Sequence, residues 1–296
     1  MGALMATHPD PSNVPAVGVI TVSYGSEAVL AGFLASVTGA STRATPIIVA
    51  DNLPSSGGAQ ELCTAAGAEY LPMASNLGYG AAMNAAAAAL PSGIEWVLVS
   101  NPDVVLEAGC IDELVRVGGE DTAIGSVGPA IHNSDGTLYP SARSVPSLRT
   151  GIGHAMFVNL WTGNPWTRAY RKDTELNSVR RDAGWLSGAC LLVRRTAFDN
   201  IGGFDPSFFM YFEDVDLGFR LGKTGYRNVY VPSAHVVHSG AHATTTESAQ
   251  MVRTHHDSAR LFLSRKYAGA WLWPVRVVLT IGLQLRSALI QRNLRH

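Results

Sequence analysis

Short β-branched runs that alternate with helical segments, each run closing on polar residues, constrain this chain more than any other feature. Val17 to Ser23 (VGVITVS) reads as a buried strand ending at Tyr24-Gly25, and Glu27 to Val37 carries apolar residues at helical spacing. Pro46 to Ala50 (PIIVA) is a second strand ending at Asp51-Asn52. A Gly/Ser/Pro turn and a helical segment through Cys63 to Ala66 follow it. Glu69 to Pro72 is a third strand. Leu77 to Leu90 is an Ala-rich helix with Asn76 placed to cap it. Trp96 to Ser100 (WVLVS) is a fourth strand, closed by Asn101-Pro102-Asp103. This alternation predicts an α/β fold with a Rossmann-like, mostly parallel sheet. Ligands bind such sheets beyond the carboxyl ends of the strands. The three polar strand ends should therefore line one crevice.

Beyond Gly128 the pattern changes. Asn133 to Val179 holds turns, aromatics and arginines and reads as irregular. Ala189 to Arg194 is another buried strand, and Phe208 to Gly222 runs from a loop into a helix. Tyr226 to Pro232 and His235 to His238 read as two short strands. Glu247 to Tyr267 and Ala270 to Arg292 read as C-terminal helices. Residues 1–15 lack a basic stretch followed by an apolar core, which argues against a signal peptide and predicts a disordered start. The organisation expected is one domain over residues 16–242 and a helical extension over 243–296.

Composition excludes several classes. A formal net charge of −1 gives no electrostatic footprint for nucleic acid. Cys63, Cys110 and Cys190, odd in number and without C-x-x-C spacing, fit neither a disulfide framework nor structural zinc, and suggest a reducing, cytoplasmic setting. The most apolar stretch, AGAWLWPVRVVLTIGLQL, is interrupted by Arg276 and bounded by Arg286. It falls short of the roughly 20 residues a spanning helix needs. Trp271 and Trp273 beside Arg276, Arg286, Arg292 and Arg295 suit a helix lying on an anionic membrane surface. The arginines do not share one face, so a homodimer contact or packing against the domain stays open.

Six segments carry potential chemistry. Pro102 stops its strand and projects Asp103 into the crevice, where one carboxylate suits Mg2+ or Mn2+ bridging phosphates. An N-P-D turn capping the next helix is the plainer alternative. Asp51 closes the second strand, where an acidic residue faces a nucleotide or is simply solvated. Asn76-Leu77-Gly78-Tyr79-Gly80 places two glycines at a helix start, which allows close backbone approach, and Asn84 lies further along that face. In FFMYFEDVDL, Phe208 to Leu217, an aromatic run leads into Glu213, Asp214 and Asp216. A partly desolvated carboxylate suits removal of a hydroxyl proton. Acidic residues also favour a first helical turn, which fits Glu213 and Asp216, leaving Asp214 as the functional member. His238, at a strand end, is a second metal ligand or a structural histidine. Trp185 and Gly188 form either a floor for a sugar or ordinary core packing.

In order, these motifs resemble the family 2 inverting glycosyltransferases of the GT-A fold. They are V-S-Y, A-D-N, N-L-G-Y-G-A-A-M-N, N-P-D, G-W-L-S-G-A-C-L-L-V-R-R, G-G-F-D-P-S-F-F-M-Y-F-E-D-V-D-L-G-F-R and V-V-H. The likeness runs from about Val17 to His242. It narrows toward the rhamnosyltransferase branch, and within that toward actinobacterial cell-wall linker synthesis, through YPSAR (Tyr139 to Arg143), YVPSA (Tyr230 to Ala234) and NPWT (Asn164 to Thr167). The resemblance implies a dTDP-L-rhamnose donor, a polyprenyl-diphospho-N-acetylglucosamine acceptor, Mg2+ or Mn2+, and peripheral attachment to the inner face of the plasma membrane. It implies that Asp51 contacts the base, that Tyr24, Asn76, Gly78, Gly80, Asn84 and Asn101 lie around the donor, and that Asp103 and His238 hold the metal. Asp214 would be the base. Arg143, Trp185, Gly188 and Glu213 would border the acceptor or a diphosphate.

One departure from the broad family pattern is Asn101, which stands where D-x-D has its first carboxylate. The lower charge suggests a cation held jointly with the nucleotide diphosphate. Donors such as a UDP-hexose or UDP-galactofuranose are the alternatives within the class. A nucleotidylyltransferase would need a Gly-rich basic loop after the first strand, where Tyr24-Gly25-Ser26-Glu27 stands. A non-catalytic nucleotide-sugar binder would not need Asp103, Asp214 and His238.

Overall fold

The computed structural model describes residues 17–54, 57–147, 179–240, 249–274 and 277. The expected disordered start, the NPWT segment and most of the second C-terminal helix lie outside them. The first half alternates as expected: β1 (Val17–Ser23), α1 (Glu27–Ala40), β2 (Ile47–Asp51), α2 (Gly58–Ala66), β3 (Glu69–Pro72), α3 (Tyr79–Ala89) and β4 (Trp96–Ser100). Then come β5 (Val104–Leu106), α4 (Cys110–Gly119), β6 (Ile124–Asn133), β7 (Leu138–Tyr139), β8 (Ala142–Arg143), β9 (Arg181–Ala183) and β10 (Trp185–Leu186). The remainder is β11 (Cys190–Arg194), α5 (Arg195–Asn200), α6 (Glu213–Lys223), β12 (Arg227–His238) and α7 (Ala249–Lys266).

The main sheet runs β3-β2-β1-β4-β11-β6-β12-β5. β1 to β4 are mutually parallel, and β12 is parallel to β6. β11 and β5 run against their neighbours. Strand alternation sorts side chains onto two faces. Val19 and Leu98 face a core shared with α1, α2 and α4. Ile20, Val97 and Val99 face a core shared with α3, α5 and α6. Both faces of the sheet are therefore covered by helices.

Three sequence expectations change. The helix after β3 begins at Tyr79, so Asn76 is not its N-cap; Asn76 Oδ1 instead accepts the Gly78 N–H at 3.0 Å. Gly78, at φ +92°, breaks the helical path before it can reach Leu77. The two short strands around Pro232 are one strand, β12, with an irregularity between Val231 and His235 opposite Pro129 and Ala130 of β6. The segment Asn133 to Val179 is not wholly irregular, because among its described residues β7 pairs with β6 and β8 pairs with β10 in a separate ribbon.

Candidate active site

Two strand registers assemble the site. β5 follows directly on Asn101-Pro102-Asp103 and pairs antiparallel with the end of β12, setting Val104 opposite His238. His238 Nε2 then lies 3.0 Å from Asp103 Oδ1 and 3.4 Å from Asn101 Nδ2. Ser239 donates its N–H to the Asp103 carbonyl at 3.1 Å and fixes the crossing. The second register sets Cys190 of β11 against Ser100 of β4, and the Asn101 N–H donates to the Ala189 carbonyl at 2.9 Å. Gly188 is thereby held beside the N-P-D turn.

Gly188 also anchors Asp214. Its N–H donates to Asp214 Oδ2 at 2.9 Å, and the Val215 N–H donates to Oδ1 at 2.8 Å. A Cβ at position 188 would lie 3.3 Å from the Asp214 Cβ, so glycine permits this approach. Burial raises the Asp214 carboxyl above the ordinary aspartate value. The two backbone donors and the Arg143 charge pull it part of the way back. A carboxylate raised in this way is a stronger base, and Asp214 is not fully buried.

Glu213, the preceding residue, is buried, and its Oε2 has no hydrogen-bond partner among the described residues. Burial, then repulsion by Asp214, pushes it up to about 8. Asp216 turns away and pairs with Arg220 at 2.6 Å, as an acidic first-turn residue stabilising its own helix.

Tyr79 ties the parts together, and sequence reasoning missed it. Its hydroxyl donates to the Gly188 carbonyl at 2.8 Å. Burial raises its pKa well above the ordinary phenol value, with further contributions from Glu213, Asp214, Cys190 and Asp103. Asp103 and Asp214, far apart along the chain, thus both act electrostatically on this one phenol. Its position between the two glycines of N-L-G-Y-G was the available signal.

The loop into α6 is held against the α3 entrance. The Tyr79 N–H donates to the Phe209 carbonyl at 3.0 Å. A Cβ on Gly78 would fall 2.2 Å from that oxygen. Tyr211 and Phe212, immediately before Glu213, both adopt φ +67°. Two consecutive aromatic residues in the left-handed region are strained and persist only where surrounding contacts enforce them.

The other expected residues divide. Tyr24 is exposed at the end of β1. Asp51 pairs in register with Ser23, the last residue of β1, but is 1% exposed, accepting the Leu53 N–H and the Tyr70 hydroxyl, each at 3.0 Å. It orders the strand end rather than presenting an open carboxylate. Asn84 does not reach the crevice chemistry: its amide both donates to the Phe204 carbonyl at 2.7 Å and accepts the Phe204 N–H at 2.9 Å. Gly80 packs against Phe204. Arg143 pairs with Trp185 in the β8–β10 ribbon, its guanidinium 5.7 Å from the Trp185 ring and 5.6 Å from Tyr139.

The donor set at the N-P-D turn fits a divalent cation in one specific way. Asp103 Oδ1 and His238 Nε2 lie 3.0 Å apart, one carboxylate oxygen and one imidazole nitrogen, a ligand combination suited to Mn2+ or Mg2+. Among the described residues no group of three or more His, Cys, Asp or Glu side chains could hold a metal. Further ligands would therefore have to come from solvent or substrate oxygens.

A helix-covered, mostly parallel sheet that gathers a carboxylate–imidazole pair and a raised carboxylate at one end is the arrangement of a GT-A glycosyltransferase. Residues 15–259 match the model of Glycosyltransferase like family 2, and the chain belongs to that family. It is 44% identical over 285 residues to the N-acetylglucosaminyl-diphospho-decaprenol L-rhamnosyltransferase of Mycobacterium tuberculosis, covering 93% of this chain and 92% of that protein. It is 28% identical to rhamnosyltransferase WbbL of Escherichia coli K12, over 84% of this chain and 93% of that one. The mannosyltransferase PcManGT from Pyrobaculum calidifontis, solved with GDP-Man and Mn2+, shares the fold at a TM-score of 0.58 and 15% identity, over 95% of this chain and 73% of that one. GalNAc-T7, solved with UDP, GalNAc and Mn2+, does so at 0.57 and 16%, over 77% of this chain and 44% of that one.

Proposed function

We propose that this glycosyltransferase moves L-rhamnose from dTDP-L-rhamnose to polyprenyl-diphospho-N-acetylglucosamine, inverting the anomeric carbon, as a peripheral enzyme on the cytoplasmic face of the plasma membrane. The observation that carries the chemistry is the Gly188 turn, which abuts Asn101-Pro102-Asp103 on one side and binds Asp214 on the other. Similarity to the mycobacterial rhamnosyltransferase over 93% of the chain supports the choice of sugar and acceptor.

In this reaction Asp214 takes the proton from the acceptor hydroxyl. The oxygen forms its bond to the anomeric carbon from the face opposite the diphosphate, whose bond to that carbon breaks. Asp103 and His238 would hold Mg2+ or Mn2+, which supplies positive charge to the leaving diphosphate. Tyr24 offers a ring to the nucleoside base beyond β1, with Asp51 shaping the floor beneath it. Arg143, stacked between Tyr139 and Trp185, offers a guanidinium to the acceptor diphosphate. No described helix is long and apolar enough to cross a membrane. Beyond α7, Trp271 in the short turn Ala270–Leu272 and Trp273 after it are 85% and 60% exposed, which supports interfacial contact with the bilayer that carries the acceptor.

The test uses the full chain with a short polyprenyl-diphospho-N-acetylglucosamine, dTDP-L-rhamnose, UDP-glucose and UDP-galactofuranose, with divalent metal omitted and restored. Product from dTDP-L-rhamnose alone, dependent on metal, is expected. Asp214→Asn should bind donor normally and lose turnover by about 100-fold or more. Efficient transfer from a UDP-sugar would overturn the donor assignment, and near-normal turnover by Asp214→Asn would overturn the base.

A further inference from the structure

The strained turn before Asp214 needs something to hold it, and α7 supplies that support. Ser258, buried in α7, donates its hydroxyl to the Met210 carbonyl at 2.8 Å, one residue before the left-handed pair. The His255 ring lies edge-on to both Tyr211 and Phe212, 5.4 Å from each. One helical turn beyond Ser258, fully buried Phe262 packs on Phe212 at 5.8 Å and on Phe219 of α6 at 5.6 Å. At the far end Arg265 pairs with Asp205 and donates to Ser207 Oγ at 3.1 Å. These contacts address the segment 205–219 from one side, while Gly78 and Tyr79 grip Phe209 from the other. Phe208, Val215 and Phe262 form a small apolar cluster of their own, apart from the two cores that flank the sheet.

We propose that α7 is a positioning element for the reaction, with Ser258, His255 and Phe262 as positioning residues that keep Tyr211 and Phe212 left-handed and so aim Asp214 at the acceptor hydroxyl. This rests on Asp214 being the base. The physical ground is direct: a left-handed aromatic pair relaxes toward ordinary backbone angles once its contacts weaken. The relaxation would turn the first residues of α6, on which Asp214 sits. Small errors in aim at a reacting group reduce turnover steeply. Ser258 and Phe262 act on Met210, Phe212 and Phe219, so donor binding should depend on them little.

The experiment compares Ser258→Ala, Ser258→Thr and Asp214→Asn in the full chain, reading kcat, donor KM and melting temperature. Ser258→Ala is expected to fold, to keep donor KM within about twofold, and to lose kcat by about 10- to 100-fold. Ser258→Thr, which keeps the hydroxyl, should recover most of it. Placing Tyr211→Gly beneath Ser258→Ala should shrink the loss, because glycine adopts the left-handed angles without support. Wild-type kcat in folded Ser258→Ala beside an inactive Asp214→Asn overturns the positioning role alone. Normal turnover by Asp214→Asn overturns the base and this role with it. Parallel loss of kcat and donor affinity, unrescued by threonine, would mean a structural role only and also overturns it. If Ser258→Ala does not fold, Phe262→Leu is judged by the same criteria of kcat, donor KM and the Tyr211→Gly background.

Discussion

Replacing Glu213 with glutamine should make the protein's stability less sensitive to alkaline pH, by an amount that follows from the geometry around that side chain. The Glu213 carboxyl is 8% exposed, has an unpartnered Oε2 and lies next to Asp214 in the chain. It is raised from 4.5 to about 8, chiefly by burial and then by the Asp214 charge. The unfolded chain releases this proton near the ordinary value and the folded chain does not. Between those two values the unfolded state binds fewer protons, so stability falls as pH rises, by about 1.4 kcal/mol per pH unit. The contribution is intact below the unfolded value and gone above about pH 8, a total on the order of 5 kcal/mol. Glutamine preserves the shape and carries no such loss. Urea unfolding of both proteins at about pH 5 and about pH 9 measures the swing, and subtracting one protein from the other cancels the titrations that Glu213 does not perturb. The expected result is a difference that moves in favour of Glu213→Gln by several kcal/mol at the higher pH. A difference constant to within about 1 kcal/mol would show that Glu213 ionises freely in the fold and would refute the reasoning.

Three further outcomes follow from other contacts. Gly78→Ala places a methyl 2.2 Å from the Phe209 carbonyl at a left-handed angle. It should destabilise by more than about 2 kcal/mol in urea titrations and reduce turnover with it. Arg220→Met leaves buried Asp216 without its 2.6 Å partner. It should destabilise by about 3–5 kcal/mol, and Asp216→Asn added to it should restore part of the loss. Burial pushes the thiols of Cys63 and Cys110 up to about 11 and about 12, and raises Cys190 well above the ordinary thiol value. Ellman's reagent should therefore find no fast thiol in the native chain and all three after unfolding.

The sequence by itself determined what local chemistry controls. β1, β3 and β4 read directly from runs such as VGVITVS and WVLVS, because strand periodicity and closing turn residues are short-range signals. The donors at the crevice were legible for the same reason, since Asp103 and Asp214 stand next to a strand stop and at a helix start. Strand β6 was not read from the sequence. Its glycines and Pro129 look like breakers, and Pro129 is accommodated only because β12 is irregular opposite it. Asp51 and Asn84 show the converse: each looked available in sequence, yet Tyr70 and the Phe204 backbone occupy their polar groups.

Only the tertiary structure decided which of these residues meet. Nothing local specifies that β5 pairs with β12 in the register that brings His238 to Asp103, or that β11 sets Gly188 between Asn101 and Asp214. Nor does any local pattern place Ser258 and Phe262 against the turn that aims Asp214. Those contacts join residues from 26 to 137 positions apart, and no local pattern links both partners.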